Sequence, residues 1–163
     1  MFHACATSDG ETFTMSTLFT PDQLFGVAGQ AAMIGWLILI FLPRRFKPLF
    51  FVPQYIIPFG LGLLYAGAIL PHFFTEPGGF GSLSDVRLLF GHDYMLLAGW
   101  VHYLAFDLFI GAWIAKEADE IGMSRLIQPV ILLATFMFGP VGLVLFLSVK
   151  AASEAMKRQV ADV

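Results

Sequence analysis

The chain has 163 residues, of which 58% are hydrophobic and 13% charged, and its net charge is −3. An average soluble domain is about 45–50% apolar and about 25% charged, so a water-soluble core of this size cannot bury so much apolar surface. The absence of a long basic run excludes the clustered positive charge that nucleic-acid binding requires. The single cysteine, Cys5, excludes an internal disulfide and a cysteine-rich metal site. We therefore expect an integral membrane protein with no nucleic-acid partner.

Four apolar runs follow one another along the chain, each close to the roughly 20 residues that cross a bilayer. They cover residues 24–42, 49–70, 94–114 and 126–148. Thr20 and Pro21 are typical of an N-cap and a first helical position, and Pro43 and Pro71 end the first two runs. Short connections favour antiparallel neighbours. The pattern predicts an all-α fold, a four-transmembrane-helix antiparallel bundle.

Three regions are expected on this basis: a disordered N-terminal segment at 1–20, the transmembrane domain at 21–150 and a polar C-terminal tail at 151–163. Between helices two and three, residues 82–90 predict a short amphipathic helix in the membrane interface. Basic residues in the first and third connections place these in the cytoplasm by the positive-inside rule. Three basic residues near the C-terminus oppose this orientation, because a four-helix count puts them on the other side of the membrane: Lys150, Lys157 and Arg158.

A glycine–proline pair interrupts the fourth run. Pro140 has no N–H, which frees the carbonyl of Phe136. Inside a membrane, a freed carbonyl must find a partner or line a cavity. The stretch Phe138-Gly139-Pro140 therefore predicts either a kink fitted to neighbouring helices or a ligand site.

Two ionisable side chains, His102 and Asp107, lie inside the third apolar run, where such residues are rare and costly. At about 100° per residue, Trp100, Tyr103 and Asp107 share one helical face, whereas His102 lies about 140° away from Asp107. Tyr103 precedes Asp107 by one helical turn, so its hydroxyl can hydrogen-bond the carboxylate. The candidate catalytic residues are Asp107, His102 and Tyr103. The alternative is a structural role, because carboxyl and imidazole groups also form hydrogen bonds that hold membrane helices together.

Other polar and aromatic side chains are expected to face the same apolar interior and to contact a ligand. These candidate binding residues are Trp100, Gln30, Gln54, Tyr65, Phe138 and Pro140. The 18 phenylalanines suit a long, flat, apolar ligand as well as they suit a lipid-facing surface. The histidines lack the i, i+3 or i+4 repetition of helical metal ligands, so no metal and no cofactor is expected.

Two segments carry a resemblance to a known family: LLAGWVHYLAFDLFIGAW at 96–113 and FMFGPVGLVLF at 136–146. Both resemble the abscisic-acid-deficient-four-like, or neoxanthin-synthase-like, membrane protein family, which is tied to neoxanthin formation in plants and has bacterial relatives. The resemblance implies isomerisation of a 5,6-epoxy-carotenoid to an allene without a redox cofactor. Such a reaction needs an acid at the epoxide oxygen, for which Asp107 is the candidate. It also needs a base at the neighbouring chain carbon, for which His102 is the candidate.

Two other functions stay open: a non-catalytic carotenoid-binding or scaffold subunit of a membrane complex, and a small proton-coupled transporter with Asp107 as its proton site. The expected partners are a carotenoid or polyprenyl-type lipid, the bilayer, and a second copy of the chain or a larger complex. The chain resembles the bacterial relatives in length and ends, so the expected location is a bacterial inner (plasma) membrane.

Overall fold

The computed structural model describes residues 19–42 and 47–161, so most of the segment expected to be disordered lies outside the described residues. Every regular element within these ranges is helical, which confirms the all-α prediction. In chain order the helices are α1 Pro21–Phe41, α2 Lys47–Phe51, α3 Ile57–His72, α4 Leu83–Leu89, α5 Asp93–Glu120, α6 Gln128–Phe138 and α7 Pro140–Ala161. A π-helical turn, Val52–Ile56, joins α2 to α3.

Three helical stretches are long and apolar enough to cross a membrane: Pro21–Phe41, Pro48–His72 and Asp93–Glu120. They correspond to the first three predicted runs. The first begins as predicted, because the hydroxyl of Thr20 accepts a hydrogen bond from the Gln23 amide and the Gln23 side chain accepts one from the Thr20 amide.

Helix α5 lies at the centre, with α1 running parallel to it. Near the start of both helices, the rings of Phe25 and Trp100 stack with centroids 5.5 Å apart. Further along, the Trp36 ring lies so close to Gly111 that a β-carbon there would meet it at 2.5 Å. A bulkier residue at position 111 would therefore push α1 away from α5.

Helix α3 packs antiparallel on α5. The ring of Tyr65 lies 5.5 Å from that of His102, and His72, at the end of α3, stacks on Tyr94 at 4.6 Å. Beyond His72, the connection to α5 contains α4, whose N-cap Ser82 accepts a hydrogen bond from the Asp85 amide at 3.1 Å. The short helix expected between the second and third spans is thus present.

The prediction of a fourth membrane span is wrong, because the helix breaks at Gly139, where φ is +43°. Helix α6 runs antiparallel to α5, from the Gln128 side chain, which donates to Asp119 at 3.0 Å, to Phe136, whose carbonyl accepts from Tyr103 at 3.4 Å. Its eleven residues span only about 16 Å, roughly half of the hydrocarbon core.

Helix α7 then returns along α5 to the face where α6 began. The Phe146 ring meets Trp113 with centroids 5.5 Å apart, and one turn later Lys150 Nζ lies 2.6 Å from Glu117 Oε2. In both pairs the two residues are 33 positions apart, and this constant separation shows that α7 runs parallel to α5. Helices α6 and α7 therefore form a re-entrant hairpin that enters and leaves on one side.

Glycine and proline make the tip of this hairpin possible. Gly139 adopts a positive φ that L side chains rarely adopt, and Pro140 starts α7 at the position where a missing N–H costs nothing. Gly142 lies against the backbone of Thr135, where a β-carbon would collide with it. Sequence length and hydropathy cannot distinguish this turn from a mid-span kink, which is why the four-span prediction failed.

The re-entrant hairpin removes the charge conflict of the four-span count. Helix α7 carries its basic residues to the face on which α5 ends and α6 begins. The basic residues of the described chain on this basic face are Lys116, Arg125, Lys150, Lys157 and Arg158. Arg87, in α4, lies at the opposite end. The positive-inside rule then favours a cytoplasmic basic face, because only Arg87 among these residues lies at the other end.

Candidate functional site

The tip of the hairpin ends beside a cavity of about 270 Å³ between α1, α5 and the end of α6. Its walls include one ionisable carboxyl, and most of the remainder is aromatic or aliphatic. The principal lining residues are Trp36, Trp100, Tyr103, Asp107, Phe136 and Met137. Asp107, in the wall of this central cavity, lies midway along α5, which is a candidate membrane span.

The carboxyl group of Asp107 lies directly at the hairpin tip. A β-carbon on Gly139 would lie 2.7 Å from Oδ1, so only glycine leaves room for the carboxyl. Tyr103, one turn earlier on α5, lines the same cavity. Among the described residues, the buried Oδ2 of Asp107 has no hydrogen-bond partner. A buried oxygen without a partner is costly, and a bound ligand can supply the missing hydrogen.

The carbonyl freed by Pro140 finds its partner in the same place. Phe136 precedes Pro140 by four residues, and its carbonyl accepts the hydrogen bond from Tyr103 at 3.4 Å. The sequence predicted that this carbonyl would need a partner or a cavity, and the structure provides both. Tyr103 thus contacts the hairpin through Phe136 and lines the candidate site beside Asp107.

Aromatic rings that contact one another form part of the wall of the central cavity. Trp100 lies between Phe25 and Tyr103, with centroid distances of 5.5 and 5.4 Å, and Trp36 meets Phe136 edge-on at 5.4 Å. Flat rings in this arrangement favour a flat, apolar ligand.

The central cavity opens on the lateral surface of the helix bundle. Three of its lining residues are not covered by the rest of the described chain: Trp100 is 41% exposed, Met33 46% and Met137 54%. In a membrane these side chains face lipid. A lipid-soluble molecule can therefore reach Asp107 without passing through water.

The structure brings together several of the predicted site residues. Trp100, Tyr103 and Asp107 share the cavity, as the helical periodicity predicted. Pro140 starts the helix that leaves the tip, and Phe138 precedes the tip with 63% of its surface exposed. Neither of these two lines the cavity itself.

Other predicted residues lie away from the cavity. His102 projects towards α3, where its ring lies 5.5 Å from Tyr65 and 4.5 Å from Phe106. Gln30 is exposed on α1, and Gln54 lies partly buried in the π-helical turn. The imidazole and the Asp107 carboxyl therefore occupy different sides of α5.

The contribution of α1 to the cavity was not predicted from the sequence. Gly29, Ala32, Met33 and Trp36 all line it. Their i, i+3, i+4, i+7 spacing is that of one helical face, so the periodicity of the first run contained the signal. What periodicity could not reveal is which other helix that face contacts.

A larger cavity, of about 510 Å³, lies at the basic face between α7 and the connection from α5 to α6. Its walls include Ile121, Met123 and Met156, and Lys157 donates to the Ile121 carbonyl at 3.4 Å. It lies far along α5 from Asp107. Within the described ranges, no group of three or more His, Cys, Asp or Glu residues is arranged to hold a metal ion.

Comparison with known proteins identifies a family. The family described as ABA4-like, ABA DEFICIENT 4-like, matches residues 23–146, which include nearly all of the three candidate spans and the hairpin tip. No curated protein and no solved structure matches the chain significantly.

Proposed function

The chain belongs to the ABA4-like family, and from that premise we propose that it isomerises a 5,6-epoxy-carotenoid to an allene, with Asp107 moving the proton. The family relates the chain to carotenoid and abscisic-acid metabolism in membranes. One observation supports assigning the chemistry to this site: a carboxyl midway along a candidate membrane span, with one oxygen unpartnered among the described residues, beside a cavity on the side of the helix bundle.

A single carboxyl can carry out the proposed isomerisation. In its neutral form Asp107 donates its proton to the epoxide oxygen while one carbon–oxygen bond of the epoxide breaks. The other carboxyl oxygen accepts the proton from the neighbouring chain carbon, and the electron pair of that carbon–hydrogen bond forms the second double bond of the allene. No atom is gained or lost, and the carboxyl ends protonated as it began.

Tyr103 has a positioning role in this proposal. Its hydroxyl donates to the hairpin carbonyl of Phe136, which holds the tyrosine ring in the cavity wall one turn before Asp107. His102 remains the alternative base, and it would act only on a substrate that reaches across α5.

The proposal is tested by measuring allene formation from a 5,6-epoxy-carotenoid in membranes that contain Asp107→Asn, His102→Ala or Asp85→Asn. Loss of the proton donor should lower the rate by about 100-fold or more in Asp107→Asn. Asp85, in α4, is a matched acidic control outside the cavity. We expect full activity from it and from His102→Ala.

Two results would change this assignment. Wild-type rates in Asp107→Asn would overturn the role of the carboxyl. Equal losses in Asp107→Asn and His102→Ala would instead support an acid and base on two sides of α5.

The second candidate is a carotenoid-binding subunit without catalysis, which the stacked aromatic wall of the cavity favours. Purified protein with a visible carotenoid spectrum, but without product formation, would support this function. The same spectrum should be lost when Trp100 is replaced by alanine, since that ring is the centre of the aromatic stack.

A further inference from the structure

A third cavity, of about 370 Å³, lies between the N-terminal ends of α1 and α5. This outer cavity is lined by Pro21, Asp22, Phe25, Asp93, Leu96 and Trp100, among others. It lies at the end of the bundle opposite the basic face, because both helices begin there.

The outer and central cavities share Trp100 as a wall. Phe25, which stacks on Trp100, lines the outer cavity, and Tyr103, whose ring is tilted against Trp100, lines the central one. From Asp93, at the rim of the outer cavity, to Asp107 is 14 residues of one continuous helix, or about 21 Å. The two cavities therefore adjoin at Trp100 on one face between α1 and α5, and we call the pair the groove; its inner end is at the Asp107 carboxyl.

We propose that the outer cavity holds the far end of the same lipid whose reacting end lies at Asp107. The ligand class is a rod-shaped unsaturated lipid that is apolar over about 20 Å, and its far end points to the face opposite the basic one. The identity of the reacting end rests on the proposed function, whereas the length and orientation rest on the groove.

The chemistry of the walls matches this ligand. Phe25, Leu96 and Trp100 provide flat and aliphatic contacts for a conjugated chain. Asp22 and Asp93, at the outer rim, can accept a hydrogen bond from a hydroxyl at the far end. Both acids also lie in the first turn of a helix, where the helix dipole stabilises carboxylates.

The test measures binding of two polyenes to purified protein by their visible absorption. One is a full-length epoxy-carotenoid, and the other keeps the same reacting end but is truncated to about half the groove length. The wild-type protein should bind the full-length polyene about tenfold more tightly, because only this molecule fills the outer cavity.

Leu96→Trp fills that cavity and should weaken binding of the full-length polyene about tenfold without affecting the truncated one. The control Leu63→Trp adds the same ring on the exposed surface of α3 and should change neither affinity.

Equal wild-type affinities for the two polyenes would overturn the inference, and so would equal weakening of both by Leu96→Trp. These outcomes are separate from the test of catalysis. If the length dependence holds but no allene forms, the isomerisation fails and the groove stands. If both polyenes bind equally and are converted at equal rates, the outer cavity plays no part and the isomerisation stands.

Discussion

Tyr103 connects the re-entrant hairpin to the candidate site. Its hydroxyl donates to the Phe136 carbonyl, which Pro140 leaves without a helical partner. Tyr103→Phe leaves this carbonyl unpaired in an apolar setting, so we expect a loss of about 1–3 kcal/mol in the free energy of unfolding. Tyr65→Phe is a matched control, because among the described residues that ring packs on His102 and its hydroxyl makes no hydrogen bond. Equal stability of the two variants in denaturant would contradict the prediction.

Gly139 combines an unusual backbone conformation with close contact to Asp107, and the two effects can be separated. Gly139→Ala should cost about 1–2 kcal/mol through its positive φ and should also displace the carboxyl, lowering product formation. Gly122 has a φ of +73°, but a β-carbon there would meet nothing within 4 Å, so Gly122→Ala reports the backbone cost alone. Unfolding curves and product assays on both variants test this. Equal product yields would show that the Asp107 contact is unimportant.

At the scale of elements, α7 is attached to α5 by the ion pair of Lys150 and Glu117, at 2.6 Å. The Glu117 carboxylate raises the pKa of Lys150 above its ordinary value of 10.5. The contribution of the ion pair is therefore fully present at neutral pH and is lost as pH rises through the raised pKa.

Lys150→Glu should loosen α7, whereas the double variant Lys150→Glu with Glu117→Lys should restore its attachment. Hydrogen exchange along α7 measures the effect. Lys116→Glu is the control, since its contact with Glu120 is 3.9 Å and exposed, and pairs of this kind contribute little. Failure of the double variant to restore protection would show that the two charges do not act as a pair.

For the whole molecule, the re-entrant hairpin predicts three crossings and a C-terminal helix on the basic face. In a Cys5→Ser background, a membrane-impermeant thiol reagent added from outside should label Ser84→Cys but neither Ser124→Cys nor Ala152→Cys. The first residue lies in α4, and the other two lie at the basic face. A four-span bundle would place Ala152 on the same side as Ser84, so joint labelling of these two positions would exclude the hairpin.

Composition and hydropathy by themselves determined the membrane character, the all-α class and the first three spans, because the length of an apolar run is a local property. Helical periodicity likewise placed Trp100, Tyr103 and Asp107 on one face. The need of the Phe136 carbonyl for a partner also followed from the sequence, through Pro140.

Only the tertiary structure showed that the fourth run reverses its direction instead of continuing as one helix. Its length and hydropathy are those of a span, and a Gly–Pro pair allows either a kink or a full reversal. The reversal depends on contacts between distant residues, such as Phe146 with Trp113 and Lys150 with Glu117, and these pairs are 33 positions apart. The tertiary structure also decided that α1 supplies the second wall of the groove and that His102 faces α3. Periodicity shows which residues share a helical face, whereas packing determines what that face contacts.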